Sequence, residues 1–212
     1  MVEASPLLLT VDSPVWQTAL AVIRLCGLTR ADATVVARRT PLSLCCDWLA
    51  LDRLVNRLAL QRYLPGGLTA GQVYERHTSY VVGPSAERMA GRLLFLQHHG
   101  LLHLLVTDKT EWRRQRGFRA NRRAPGEPPL ISLADVSTLT DVQFASLPAV
   151  ADAGSVPALQ AFMAGLAANP AWLELHAAAE AEVARLLALL PQDLRQAAEK
   201  RQQAAGEGEE EE

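Results

Sequence analysis

The residues best suited to chemistry in this sequence are a run of arginines with two aromatic side chains among them. Between Asp108 and Arg123 there are seven basic residues and two acidic ones, a net charge of +5. Arginine binds phosphate oxygens in bidentate fashion, and aromatic rings stack on unpaired bases. The run therefore predicts contact with RNA, the alternative being a basic surface loop between structured units. The residues concerned are Lys109, Trp112, Arg113, Arg114, Arg116, Phe118, Arg119, Arg122 and Arg123.

A second set of arginines follows the pattern Arg-x-x-x-Arg-Leu. Arg53 and Arg57 show it first, and Arg88 and Arg92 show it again 35 residues later. Residues four apart lie on one face of a helix. If helical units stack, the two pairs form a continuous stripe of guanidinium groups that follows a phosphate backbone. The alternative is a solvated face on which these arginines pair with acidic neighbours such as Asp52.

Signals for catalysis, metal binding or a cofactor are weak. His99 and His103 have the i, i+4 spacing of helical metal ligands, but Gly100 lies between them and no carboxylate follows. The sequence has no G-x-S-x-G, P-loop or G-x-G-x-x-G motif, and no pair of carboxylates in a recognisable catalytic context. We therefore expect no catalytic residues, no metal and no cofactor, and a protein that is not an enzyme.

Composition favours a soluble chain that can bury a core. Of 212 residues, 49 % are apolar and 21 % are charged, and the net charge is −2. Nineteen of the 21 basic residues are arginine, which suits phosphate binding but also follows from GC-rich coding. Three cysteines without a C-x-x-C pair argue against disulfides or structural zinc. No apolar run is long enough to span a membrane, and we expect no membrane partner.

The elements that must position the arginines are predicted to be helices. Gly27-Leu28-Thr29 recurs 40 residues later as Gly67-Leu68-Thr69, and a looser third copy begins at Leu139-Thr140. In the first copy Thr29 is placed to cap a helix, with Asp32 three residues later. Pro41 ends the first helix of the first copy, and an apolar stripe then predicts a helix over 51–64. A period of this length is typical of stacked helical units, so the fold class is all-α.

This organisation divides the chain into four parts. Residues 1–105 contain the first two units, 106–130 form a basic connecting arm, 131–203 hold a third degenerate unit and a long C-terminal helix, and 204–212 are an acidic tail. We expect the long helix, from Ala171 to Gln203, to cap the stack, the alternative being a helix that docks on a partner. Five glutamates in the last six residues predict a solvated or disordered tail.

The order of these phrases resembles a repeat of the mitochondrial transcription termination factor (mTERF) family. Those repeats open with Gly-Leu-Ser/Thr, carry Pro-Leu after the first helix, and close on Leu-Gly-Leu. The phrases in this chain are Gly27-Leu28-Thr29, Pro41-Leu42 and the stretch from Phe95 to Leu101. The resemblance covers residues 15–105 and, more weakly, 139–175. The second unit departs from the pattern, because Thr78-Ser79-Tyr80 stands where the family has proline.

The resemblance implies a short right-handed solenoid of about three repeats that binds RNA or DNA in an organelle, most often the mitochondrion. Our first hypothesis from it is a structural protein that clamps ribosomal RNA in a mitochondrial ribosome, beside neighbouring ribosomal proteins. The second is an organellar transcription termination or RNA-processing factor that acts on DNA or transcripts, with the chloroplast as another location. The third, from a different class, is a protein–protein adaptor.

Overall fold

The structure, a computed structural model, describes residues 13–107, 129–151 and 155–209. Helices make up 77 % of these ranges, which confirms the predicted helical character. The eleven α-helices found there are α1 (Ser13–Leu25), α2 (Arg30–Arg39), α3 (Leu51–Tyr63), α4 (Ala70–Val82), α5 (Arg92–His98), α6 (Leu133–Thr138), α7 (Asp141–Ala145), α8 (Pro148–Ala151), α9 (Val156–Ala164), α10 (Pro170–Leu189) and α11 (Gln192–Glu209). Shorter turns are the 3-10 helices Pro41–Cys45, Leu102–Leu104 and Leu166–Ala168 and the π-helix Glu87–Gly91.

The predicted threonine cap at Thr29 is present, and the structure has equivalent caps at Thr69 and Thr140. Thr29, Thr69 and Thr140 each accept a hydrogen bond from the backbone N–H three residues on, at 3.2 Å in every case. The side chain at that third position, an aspartate once and a glutamine twice, accepts in return from the threonine N–H. These reciprocal capping boxes begin α2, α4 and α7. We call the stretches that follow them, residues 28–64, 68–101 and 139–166, the Leu-Thr units.

The turn before each of the first two caps depends on glycine. Gly27 has φ +93° and ends α1 through its N–H, which donates to Arg24 O at 2.9 Å. Gly67 has φ +59°, in the same left-handed region. Side chains other than glycine rarely adopt these angles. The Gly-Leu-Thr phrase therefore encodes a helix stop, a reversal and a new helix start in three residues.

The missing proline of the second unit has a visible consequence. In the first unit α2 ends at Arg39 and a 3-10 helix begins at Pro41, as predicted. In the second unit α4 continues to Val82 but is kinked at His77, where φ is −127° and ψ is 18°. The Thr78 hydroxyl donates to Tyr74 O in the preceding turn. Such a side chain bends a helix without ending it, whereas proline removes a backbone donor altogether.

Helix α3 lies at the centre of the molecule. Its apolar residues Leu54, Val55 and Leu60 are fully buried, and it packs against both α4 and α10. Its polar residues hold the connection between α4 and the following helix. Asn56 Nδ2 donates to Val81 O at 3.3 Å and to Pro84 O at 2.9 Å. Asp52 accepts from the backbone N–H of Ala86 at 3.3 Å, so it caps the next helix rather than neutralising an arginine stripe.

The C-terminal helices differ from the expected cap. Pro191 divides the predicted long helix into α10 and α11. Both helices make contacts beyond the last unit, which a simple cap would not do. Helix α10 lies along α3 of the first unit, and α11 packs on α1, where Arg201 Nη2 donates to Thr18 Oγ1 at 3.3 Å. The cause is the apolar face of α10, which buries Trp172, Leu175, Ala179 and Leu186. This face joins the core that the three units share.

Two further differences concern strands and the tail. A short parallel pair joins Leu105–Val106 to Ile131–Ser132, which the all-α prediction does not include. Two residues are too few for an alternating pattern to show. The tail from residue 204 is expected to be solvated or disordered, and the backbone of α11 stays helical to Glu209, so disorder is not found over residues 204–209. Residues 210–212 lie outside the described ranges.

Candidate nucleic-acid interface

The expected stripe of four solvent-facing arginines does not form. Arg57 and Arg92 are buried, with 2 % and 1 % of their surface exposed. Arg53 is half-buried and its guanidinium donates to Asp47 O, whereas Arg88 is exposed on the π-helix. The prediction is therefore wrong for Arg57 and Arg92 as an accessible phosphate track. It leaves Arg88, and in part Arg53, within reach of a ligand.

Arg57 lies in a network that joins three parts of the fold. Its Nη2 is 3.0 Å from Glu182 Oε1 on α10, and its Nη1 is 3.6 Å from Cys26 Sγ after α1. The guanidinium also lies 6.0 Å from the centre of the Tyr74 ring on α4. Glu182 accepts two further bonds from Arg185 at 2.6 and 2.8 Å. These bonds, with the charge of Arg57, lower the pKa of the Glu182 carboxyl against the opposing effect of burial.

Arg92 has an equivalent set of partners. Its Nη1 donates to Val136 O at 2.8 Å and its Nη2 to Asp141 Oδ1 at 2.6 Å. The guanidinium lies 4.8 Å from the centre of the Phe144 ring. Burial lowers the pKa of the Arg92 guanidinium, and the hydrogen bond to Asp141 acts in the opposite direction. Each bond reaches residues that come more than 40 positions later in the chain.

The two buried arginines thus play the same part in successive Leu-Thr units. Each is the second arginine of its Arg-x-x-x-Arg-Leu pattern. Each also lies over an aromatic ring in the capped helix of the following unit, which is Tyr74 of α4 for Arg57 and Phe144 of α7 for Arg92. The repeated pattern joins one unit to the next. A signal for this was present in the sequence, because Arg57 is three residues from both Leu54 and Leu60 and so lies on the apolar face of α3.

The basic segment, residues 108–123, lies outside the described residues, as do all nine candidate side chains within it. The structure does describe both of its flanks. Leu105 pairs with Ile131 and Val106 with Ser132 in the parallel register, so the chain leaves and returns beside the same short ladder. Neighbouring strands are about 5 Å apart. The two flanks of the segment therefore lie side by side on the helical scaffold.

The candidate histidines contact neighbouring groups of the same chain. His103 Nδ1 lies 2.8 Å from Gly100 O, and the His99 ring lies 4.4 Å from that of Phe95. Burial lowers the pKa of His99, and the neighbouring His98 adds to the effect. Within the described ranges no three ligand-type side chains come together to hold a metal ion. None of Cys26, Cys45 and Cys46 is joined in a disulfide bond.

None of the helices in the described part of the chain is long and apolar enough to cross a bilayer. No family model, curated protein or solved structure matches the chain. The likeness to mTERF repeats accordingly rests on the sequence phrases themselves.

Proposed function

We propose that this protein binds RNA as a structural component of an organellar ribosome, with residues 108–123 as the principal contact. The observation that carries the proposal is the density of charge in that segment, +5 over 16 residues, with Trp112 and Phe118 interleaved. Crowded phosphates favour such a segment because each neutralised phosphate releases counterions, while the rings stack on unpaired bases. The parallel ladder that joins its flanks supports this use, since it fixes where the segment meets the scaffold.

The scaffold in this proposal is a short right-handed solenoid of mTERF type. Three capped helices at equivalent places support a repeating architecture, and so do the matching contacts of Arg57 and Arg92. Its role is architectural and not enzymatic: a stiff support holds the basic segment against folded ribosomal RNA. The location in the mitochondrial matrix, a place in the large ribosomal subunit and contact with neighbouring ribosomal proteins rest on the family resemblance.

The first test is direct binding. Replacing Arg113, Arg114 and Arg116 by glutamate should abolish binding to a labelled structured RNA, measured by fluorescence anisotropy. A matched control replaces three exposed arginines of the described helices, Arg24, Arg30 and Arg38, by glutamate, and should bind more tightly than the first variant. For the unaltered protein the slope of log affinity against log salt should be about −0.7 per phosphate contacted in single-stranded RNA. Affinity unaffected by salt would contradict the proposal.

The second test separates a ribosomal protein from a transient factor. A structural component should co-sediment with an organellar ribosomal subunit at high salt, whereas a transcription termination or RNA-processing factor should wash off. Crosslinking in organelle extract, followed by sequencing of the attached RNA, should return ribosomal RNA. A protein–protein adaptor would keep its partner when Arg113, Arg114 and Arg116 are glutamate, and that result would overturn the RNA-binding role.

A further inference from the structure

A polar groove lies between the end of α2, the kinked part of α4 and the last residue before the basic segment. Its polar lining consists of four serine or threonine residues, one arginine, one glutamate, one histidine and one half-exposed tyrosine. The side chains that could meet a ligand are Thr40, Thr107, Arg76, Glu75 and Tyr80. Arg76 and Glu75 are exposed to solvent, so their charges are available to a ligand.

The kink in α4 builds this groove. All six consecutive residues from 75 to 80 line it. A regular helix turns 100° per residue, so six consecutive side chains would point around its whole circumference. The departure from helical angles at His77 changes the direction of the helix in the middle of this stretch and brings both sides of the kink to one groove.

We infer that this groove binds one unpaired nucleotide of an RNA, a step that rests on the proposed function. Unpaired bases in RNA are recognised by stacking on aromatic rings and by polar groups that meet the base edge. Tyr80 supplies the ring, and His77 lies beside it with the ring centres 6.2 Å apart. Arg76 suits the phosphate. Glu75 repels phosphate but accepts a hydrogen bond from a base amino group, as acidic side chains do with cytosine.

Two further features favour RNA over a peptide in the groove. Thr107 lines the groove and immediately precedes the basic segment in the chain, so the groove lies beside the point where that segment begins. The Thr40 hydroxyl is a short donor and acceptor that suits a base edge or a ribose. The Tyr80 phenol, which is neutral at pH 7 in any case, has its pKa raised further by burial and by a smaller effect of Asp135.

The test compares two labelled RNAs, a stem–loop with an unpaired loop and the corresponding uninterrupted duplex. Tyr80→Leu should weaken binding of the stem–loop by about 10-fold or more, since one stacked base is lost. Arg76→Gln should also weaken it, whereas Arg24→Gln, the same charge change outside the groove, should not. Tyr80→Phe keeps the ring and should retain most of the affinity, which separates lost stacking from misfolding. Duplex binding should be nearly equal in all four variants.

Photo-crosslinking with 4-thiouridine in the loop should place the modified peptide at residues 75–80. If Tyr80→Leu and Arg76→Gln bind the stem–loop as tightly as the unaltered protein, while the Arg113, Arg114 and Arg116 variant does not bind, the groove is not a nucleotide site and the proposed function stands. An equal loss for stem–loop and duplex would also overturn the groove assignment. If the unaltered protein binds neither RNA, both proposals fail.

Discussion

Arg57 Nη2 and Glu182 Oε1 form an ion pair of 3.0 Å that fastens helix α10 to the central helix α3. Both side chains are largely shielded from solvent, with 3 % and 16 % of their surface exposed. Two turns of α10 away, Arg62 and Glu174 join the same helices at 2.7 Å, but both of those side chains are exposed. The two pairs therefore provide a natural comparison of buried and exposed charge within one helix contact.

Replacing Arg57 by alanine should destabilise the fold strongly. Arg185 still pairs with Glu182, but the buried contacts of Arg57 with Glu182, Cys26 and Tyr74 are lost, and we expect this to cost about 1–3 kcal/mol of unfolding free energy. Arg62→Ala is the matched control and should cost about 0–1 kcal/mol, because water already solvates that pair. Urea denaturation followed by circular dichroism measures both. Similar losses in the two variants would show that burial of Arg57 contributes nothing.

Acid should weaken the protein through Glu182. The folded state lowers the pKa of this carboxyl, so the unfolded chain binds its proton at a higher pH than the folded one. The stabilisation is therefore complete above the ordinary glutamate value of about 4.5 and is lost as pH falls through the lowered folded value. In Glu182→Gln this part of the pH dependence should be absent. The test is to measure the unfolding free energy of both proteins from neutral pH to about pH 3. If the unaltered protein and Glu182→Gln lose stability in parallel as pH falls, Glu182 does not contribute to the pH dependence.

The threonine caps should each contribute measurably to stability. In Thr69→Ala the Gln72 N–H loses its acceptor, and we expect a loss of about 1 kcal/mol. Thr34→Ala removes a hydroxyl from inside α2, where it donates to Arg30 O at 2.8 Å, and should be neutral or stabilising because alanine favours helix. Thermal unfolding compares the two. A Thr34→Ala variant as unstable as Thr69→Ala would mean that capping is not the cause.

Gly71→Ala should be harmful although it places alanine in a helix. An added Cβ would lie 2.9 Å from Leu28 Cδ1 and 3.1 Å from Cys26 O, where the first two Leu-Thr units meet. The usual gain of about 1 kcal/mol for glycine to alanine in a helix should therefore be reversed. Gly165→Ala is the control, since its Cβ would meet only ordinary contacts at 3.6 and 3.7 Å. The difference in melting temperature between the variants tests this contact.

Local signals in the sequence predicted the elements well. The Gly-Leu-Thr phrases and Pro41 each placed a helix boundary, because caps, left-handed turns and missing backbone donors act within a few residues. The exposure of the predicted arginine stripe could not be read from local signals in the same way. Arg57 and Arg92 were assigned to solvent by their charge, whereas their partners Glu182 and Asp141 are 125 and 49 residues away in the chain.

What the sequence determined by itself is the helical class, the recurring Leu-Thr units and the strongly basic composition of residues 108–123. Only the tertiary structure decided which arginines reach solvent, where α10 lies and how the kink at His77 shapes a groove. The physical reason is that capping and helix propensity are properties of neighbouring residues. The environment of a charge depends instead on which distant segments are packed around it.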